Sequence, residues 1–222
     1  MLGIVTGLEL EKQLCLKAYK AIAKDRPLII CAAGTVERAK RAAKDLIDQG
    51  ASHLISFGLC GGLATDIETG DLIMPKTVMM GCETLSLNSD WFQKTTRDLP
   101  YAKTGTLISV NEAVTSPQAK ALLHKQSGAM AVDVESFAVM QVAKAHNLPG
   151  LILRAVLDPV HQSLPEAAVS VVNANGETRI WPVIKGLMRR PQDLPDLMRL
   201  GCLLYTSPSP RDATLSRMPS SA

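Results

Sequence analysis

The sequence predicts an α/β fold: a three-layer sandwich with a central, mostly parallel mixed sheet covered by helices on both faces. Three observations lead there. Short apolar runs without polar alternation recur along the chain, as expected of strands buried on both faces. Segments with apolar residues at three- and four-residue spacing stand between them. Gly, Pro and helix-cap residues mark the joins.

Residues 2–6 form the first apolar run, broken by Gly7. Residues 8–24 have helical spacing, with Leu10, Leu14, Ala18 and Ala21 or Ile22 on one side. Pro27 introduces a second buried strand, residues 28–32. Gly34 and the N-cap residue Thr35 then open a helix whose stripe is Val36, Ala39, Ala43, Leu46 and Ile47. Gly50 stops it, in the position favoured after a helix end. A third strand, residues 53–57, is expected to enter a loop at Gly58-Leu59-Cys60-Gly61-Gly62. Residues 71–80 are strand-like, and residues 82–102 carry no readable period. Residues 103–110 have strand character, 116–125 are helical, and 129–132 make a short strand leading to Asp133-Val134-Glu135. A helix follows over 135–146, with Ala138, Val139, Val142 and Ala143 inward, and Pro149 precedes a strand over 151–156 that ends at Asp158-Pro159.

The 222 residues are enough for one large domain with a core that needs no disulfide or metal. Residues 1–200 read as that domain. From Gly201 the chain turns to "GCLLYTSPSPRDATLSRMPSSA", rich in Ser and Pro and without an apolar face beyond Leu203-Leu204. Residues 201–222 are read as a non-native tail that resembles translated sequencing-adapter sequence, or else as a natural disordered tail. A net charge of +3 is too small to argue for nucleic acid or for general attraction to a membrane. No apolar stretch reaches the ~18–20 residues of a spanning helix. The opening lacks the form of a signal peptide. Cys15, Cys31, Cys60, Cys82 and Cys202 are scattered, without CxxC spacing, and read as reduced thiols of a cytoplasmic protein.

In parallel sheets the site lies beyond the carboxyl ends of the strands. That rule gathers Glu11, the 58–62 segment, Glu135 and Asp158. The sequence has no P-loop, no GxGxxG after the first strand, no GxSxG elbow and no metal-ligand spacing, so neither cofactor nor metal is expected. What remains is acid–base chemistry by carboxylates. Cleavage of an N-glycosidic bond fits: an acid protonates the leaving base, a carboxylate activates water, and another holds the ribose hydroxyls.

Three segments, in order and with matching spacing, carry a family resemblance. "GIVTGLELE" resembles the first strand and turn of the purine nucleoside phosphorylase and methylthioadenosine/adenosylhomocysteine nucleosidase superfamily. "ISFGLCGGLATDIETGDLIMPKTV" is similar to its GxxGGL…xxGDLV segment. "AVDVESFAVMQVAKAHNLPGLILRAVLDPV" is similar to VxMExxAxAxVAxxxxxPxxxxRxxSD. Within the superfamily, "TGLELE", "SFGLCGGL", "LRAVLDP" followed by "LP", and "WPVIKGLMRRPQDLPDLMRL" resemble the hopanoid-associated phosphorylases. That likeness implies removal of adenine from adenosylhopane, a step in bacterial membrane-lipid synthesis. It implies Glu11 as the carboxylate that activates water, and Asp158 as the acid at adenine N7. It implies Glu135 on the ribose hydroxyls, with Val134 in place of the usual methionine. Ala113 and Val114 fall where the family's backbone meets the purine, and Cys60, Gly61 and Gly62 in the turn lining the site. It further implies a homodimer.

Leu157 replaces the serine usually beside the aspartate, and Ala113 stands where the nucleosidases often have an aromatic ring. Water is favoured over phosphate as nucleophile, because a carboxylate at Glu11 repels a dianion and no basic residue precedes Lys12. Arg38, after Gly34-Thr35, could still approach an anion, which keeps phosphate open. Three further functions fit the same residues: a nucleosidase for soluble 5′-thioadenosines, a phosphorolytic enzyme, and an inactive nucleoside-binding protein. Each site residue also has an ordinary reading: Glu11 and Glu135 as helix-start acids, Asp158 as a turn residue, Cys60 as a packed thiol. His53 and His161 read as structural. Residues 181–200, with Trp181, Ile184, Leu187 and Met188 beside Lys185, Arg189 and Arg190, read first as a helix capping the sheet. Their second reading is a lipid-facing segment in peripheral contact with a membrane.

Overall fold

The computed structural model describes residues 1–22 and 26–163. The expected boundary at residue 200, the 201–222 tail and the amphipathic 181–200 segment all lie outside the described residues. Among these, the chain forms β1 (Leu2–Thr6), α1 (Glu9–Ile22), β2 (Leu28–Cys31), α2 (Val36–Asp48), β3 (His53–Gly62), β4 (Leu72–Ile73) and β5 (Thr77–Met80). Then come β6 (Glu83–Ser86), α3 (Asp90–Asp98), β7 (Thr106–Ser109), α4 (Pro117–Ser127), β8 (Ala131–Asp133), α5 (Ser136–Ala145) and β9 (Gly150–Asp158).

The strands form one mixed sheet in the order β2-β1-β3-β8-β7-β5-β6, with β9 pairing β3 and β4. The β1–β2, β1–β3, β3–β9, β5–β7 and β7–β8 pairs are parallel. The β3–β8, β4–β9 and β5–β6 pairs are antiparallel. This is the predicted fold class, with helices on both faces.

The two faces follow from strand alternation. Val5 and Ile152 point into a core with Ala39, Ala42, Ala43 and Leu46 of α2 and Phe137, Val139 and Val142 of α5. Their neighbours Ile4, Leu151 and Leu153 point the other way, onto Cys15 and Tyr19 of α1 and Phe92 of α3. α2 lies close to the sheet: a Cβ on Gly3 of β1 would come 3.2 Å from Leu46 Cβ of α2. Thr35 caps α2 as expected, its hydroxyl accepting from the Arg38 amide. Gly50 follows the helix with φ +93°, a conformation that favours glycine.

Two expectations need revision. The 58–62 segment is not a loop but the second half of β3, paired with Arg154–Asp158 through a register shift at Cys60/Gly61. Its glycines mislead, because here they admit neighbouring side chains rather than turn the chain. The 71–80 run divides into β4 and β5 around Pro75, which cannot donate to a ladder. The unread 82–102 stretch contains β6 and α3, and α3 is capped by the Ser89 hydroxyl accepting from the Phe92 amide.

Candidate active site

Gly7 ends β1, and Glu11 stands on the first turn of α1. Its side chain reaches back: Oε2 accepts from the amides of Gly7 (2.8 Å) and Leu8 (2.9 Å). This is half of a capping box, in which an acid at the third helical position satisfies the cap's own amide. Oε1 crosses to β3 and accepts from Leu59 (2.9 Å). Glu11 is thus buried and tied to two elements. Burial raises its pKa, against the opposing pull of Arg154 and the three amides.

Arg154, from the middle of β9, is the hub of the cluster and is 1% exposed. Its Nη2 is ion-paired with Asp133 Oδ2 at 2.8 Å and donates to Ser56 Oγ (2.8 Å), Ser136 Oγ (3.0 Å) and, more distantly, Glu135 Oε2 (3.5 Å). Nε donates to Ser136 Oγ at 3.1 Å. Burial disfavours the guanidinium charge, but Asp133, Glu135 and Glu11 together raise its pKa. Asp133 caps α5 from outside the helix: Oδ2 accepts from the Ser136 amide (3.1 Å). Its Oδ1 accepts from Ser109 Oγ (2.6 Å), and that hydroxyl in turn accepts from the Phe137 amide (2.9 Å).

Glu135 occupies the cap position of α5 without a side-chain cap bond. Gly7 lies against it, since a Cβ there would sit 2.6 Å from Glu135 Oε1. Glu11 and Glu135 therefore flank the same glycine. Burial, then the neighbouring Asp133 and Glu11 charges, raise the Glu135 pKa to about 7 despite Arg154. Both carboxylates pair with Arg154, Asp133 at 2.8 Å and Glu135 at 3.5 Å.

Asp158, at the end of β9, is 2% exposed. Its carboxylate flanks Gly61, whose Cβ would meet Oδ1 at 3.6 Å. The other oxygen is ion-paired with Lys120 of α4, which is wholly buried. Burial raises the Asp158 pKa to about 6, with Lys120 opposing.

The remaining predicted residues are placed as follows. Gly61 borders Asp158, while Gly62 packs on Ile67 and Pro159. Cys60 is buried in the α2–α5 core, where burial pushes its thiol up. Val134 is half-buried between Asp133 and Glu135. Ala113 is exposed in the β7–α4 connection, and Val114 packs against the cluster of Leu63, Ile108, Ala129 and Val132. His53 stacks edge-on with Trp91 at 5.0 Å, and His161 is exposed. Arg38 is exposed on α2. Sequence reasoning missed Arg154, Asp133 and Lys120. An arginine inside the apolar run 151–156 was a readable signal for the first. Lys120 gave none, because a lysine in an amphipathic helix ordinarily faces water. Among the described residues, no grouping of three or more His, Cys, Asp or Glu could hold a metal ion, and no helix is long and apolar enough to cross a membrane.

The buried carboxylates stand on a mixed α/β sheet of the kind found in solved nucleosidases. Residues 15–180 match the Phosphorylase superfamily, and the chain belongs to it. Solved structures share the fold at low identity. The 5′-methylthioadenosine/S-adenosylhomocysteine nucleosidase from Neisseria meningitidis, in complex with methylthio-immucillin-A, is 14% identical with a TM-score of 0.71, covering 90% of this chain and 97% of that one. The S-adenosylhomocysteine nucleosidase from Streptococcus pyogenes, in complex with 5-methylthiotubericidin, is 14% identical with a TM-score of 0.70, covering 90% and 96%. Futalosine hydrolase of Helicobacter pylori is 14% identical with a TM-score of 0.64, covering 85% and 97%. No curated protein matches this sequence.

Proposed function

We propose that the protein cleaves the N-glycosidic bond of a 5′-substituted adenosine and releases adenine. The observation that carries this reading is the set of three buried carboxylates, Glu11, Glu135 and Asp158, gathered at the ends of β1, β8 and β9 with raised proton affinity. In the proposed reaction Asp158, protonated, gives its proton to N7 of the leaving base. Glu135 accepts from the ribose hydroxyls as positive charge develops on the sugar. A carboxylate offers about four lone-pair sites. Three on Glu11 are taken by backbone amides. The fourth accepts a proton from the water that attacks C1′.

Water suits this site better than phosphate. The turn after β1 presents a carboxylate to an incoming nucleophile, and Arg154 is already engaged by Asp133, Glu135 and two serines. The two nucleosidases named above, from Neisseria meningitidis and Streptococcus pyogenes, support an adenosine with a 5′ substituent. The resemblance to hopanoid-associated enzymes favours adenosylhopane over a soluble thioadenosine, and a second copy of the chain would complete the pocket. Incubating the protein with adenosylhopane and with methylthioadenosine, and measuring adenine, tests the assignment. Faster release from the hopanoid supports it. Rapid turnover of methylthioadenosine with none of the hopanoid replaces it with the soluble-substrate reading.

A further inference from the structure

α4 has an unusual anchor. Its buried residue is a lysine, Lys120, on the first turn. A cation at a helix N-terminus opposes the helix dipole. Burying an ammonium is costly unless every proton is matched. Here the matching is complete. Nζ donates to the Asp158 carboxylate and to the carbonyls of Asp158 (3.2 Å), Pro159 (3.0 Å) and Gln162 (2.9 Å). The residue before Asp158 is Leu157, which offers no hydroxyl to orient the acid.

We infer that Lys120 is a positioning residue for proton transfer to the leaving base: it fixes Asp158 through Oδ2, leaves Oδ1 to carry the proton, and stabilises the carboxylate formed once that proton is given up. This rests on the nucleoside-cleavage reading. The step balances simply. The Oδ1–H bond breaks, an N7–H bond forms, and the negative charge left on Asp158 is met by the ammonium already in place. Lys120 is the cation facing Asp158, from α4. On β3 the titratable neighbour is the Cys60 thiol, and His161 beyond the turn is exposed. Burial raises the proton affinity of Asp158 while Lys120 lowers it, so the pair keeps the acid both protonated at mildly acidic pH and able to release its proton.

The test is the pH profile of adenine release, from whichever of methylthioadenosine and adenosylhopane the wild type cleaves faster, for Lys120→Gln, Lys120→Arg, Asp158→Asn and Lys120→Gln/Asp158→Asn. Lys120→Gln should lower kcat by about 10–100-fold with KM nearly unchanged. Its alkaline limb should move up by about one pH unit, because the charge that held Asp158 down is gone. Lys120→Arg should return the limb toward the wild-type position. The double variant should be no slower than Asp158→Asn alone. An unmoved limb in a folded Lys120→Gln protein, or losses that multiply in the double variant, reduces Lys120 to a structural clip and overturns the proposal. If Lys120→Gln does not fold, NMR of the wild type decides. The Lys120 Nζ resonance should shift at the pH where the Asp158 carboxyl titrates, and an Nζ that does not respond overturns the coupling. A wild type that releases no base from either nucleoside overturns the nucleoside reading itself.

Discussion

Glu11 makes three hydrogen bonds to backbone amides, yet burial still raises its proton affinity. Glu11→Gln has a specific consequence, because a carboxamide can accept through only one end. At least one amide among Gly7, Leu8 and Leu59 then faces an N–H. Urea unfolding should show a loss of about 1–3 kcal/mol, while adenine release falls by about 10²–10⁴-fold. Glu135 behaves differently. Its folded pKa of about 7 lies above the ordinary 4.5. Its stabilising contribution is therefore full below pH 4.5 and lost as pH rises through about 7. Glu135→Gln carries no buried charge, so it should be the more stable protein at pH 8, by about 1–3 kcal/mol, with the advantage gone at pH 5. Unfolding at the two pH values checks the sign. All three carboxylates were legible in the sequence, because they follow strand ends. Their partners were harder to read. Asp133 looked like part of a strand end, and Lys120 like a solvent lysine, since no local pattern reports burial by a distant segment.

At the scale of elements, the site depends on where β3 meets α1 and β9. A Cβ on Gly58 would fall 2.6 Å from Glu11 Oε1 and closer still to Arg154 Nη1. Gly58→Ala must push one of these groups away. It should destabilise by about 1–3 kcal/mol and abolish most adenine release, whereas Gly81→Ala, with nothing near its Cβ but a positive φ, should cost only stability. Thermal melts alongside the activity assay separate the two effects. The strands and helices with clear periodicity were found in the sequence. β6 and α3 were not: Glu83–Ser86 is too short for alternation to show, and α3 buries only Phe92 and Thr95. The extension of β3 through Gly62 was hidden because a glycine-rich strand and a glycine-rich loop have the same composition.

At the scale of the molecule, parallel strands β1, β3 and β9 deliver Glu11's turn, the glycine-bearing half of β3 and Asp158 to one end of the sheet. α5 brings Glu135 to Arg154 of β9, joined by an ion pair whose shorter arm is Asp133. The fold class follows from periodicity, but the convergence does not. It needs the strand order, and especially the insertion of β9 beside β3, which no local pattern encodes. The central claim is that these converging carboxylates break an N-glycosidic bond with water. Its most direct test is product analysis in phosphate-free buffer with methylthioadenosine, adenosylhomocysteine and adenosylhopane, for the wild type and Asp158→Asn. The expected result is equimolar adenine and free 5-substituted ribose from at least one substrate, unchanged by added phosphate and reduced at least about 100-fold in the variant. No base from any substrate, or a ribose 1-phosphate formed only when phosphate is present, would contradict it.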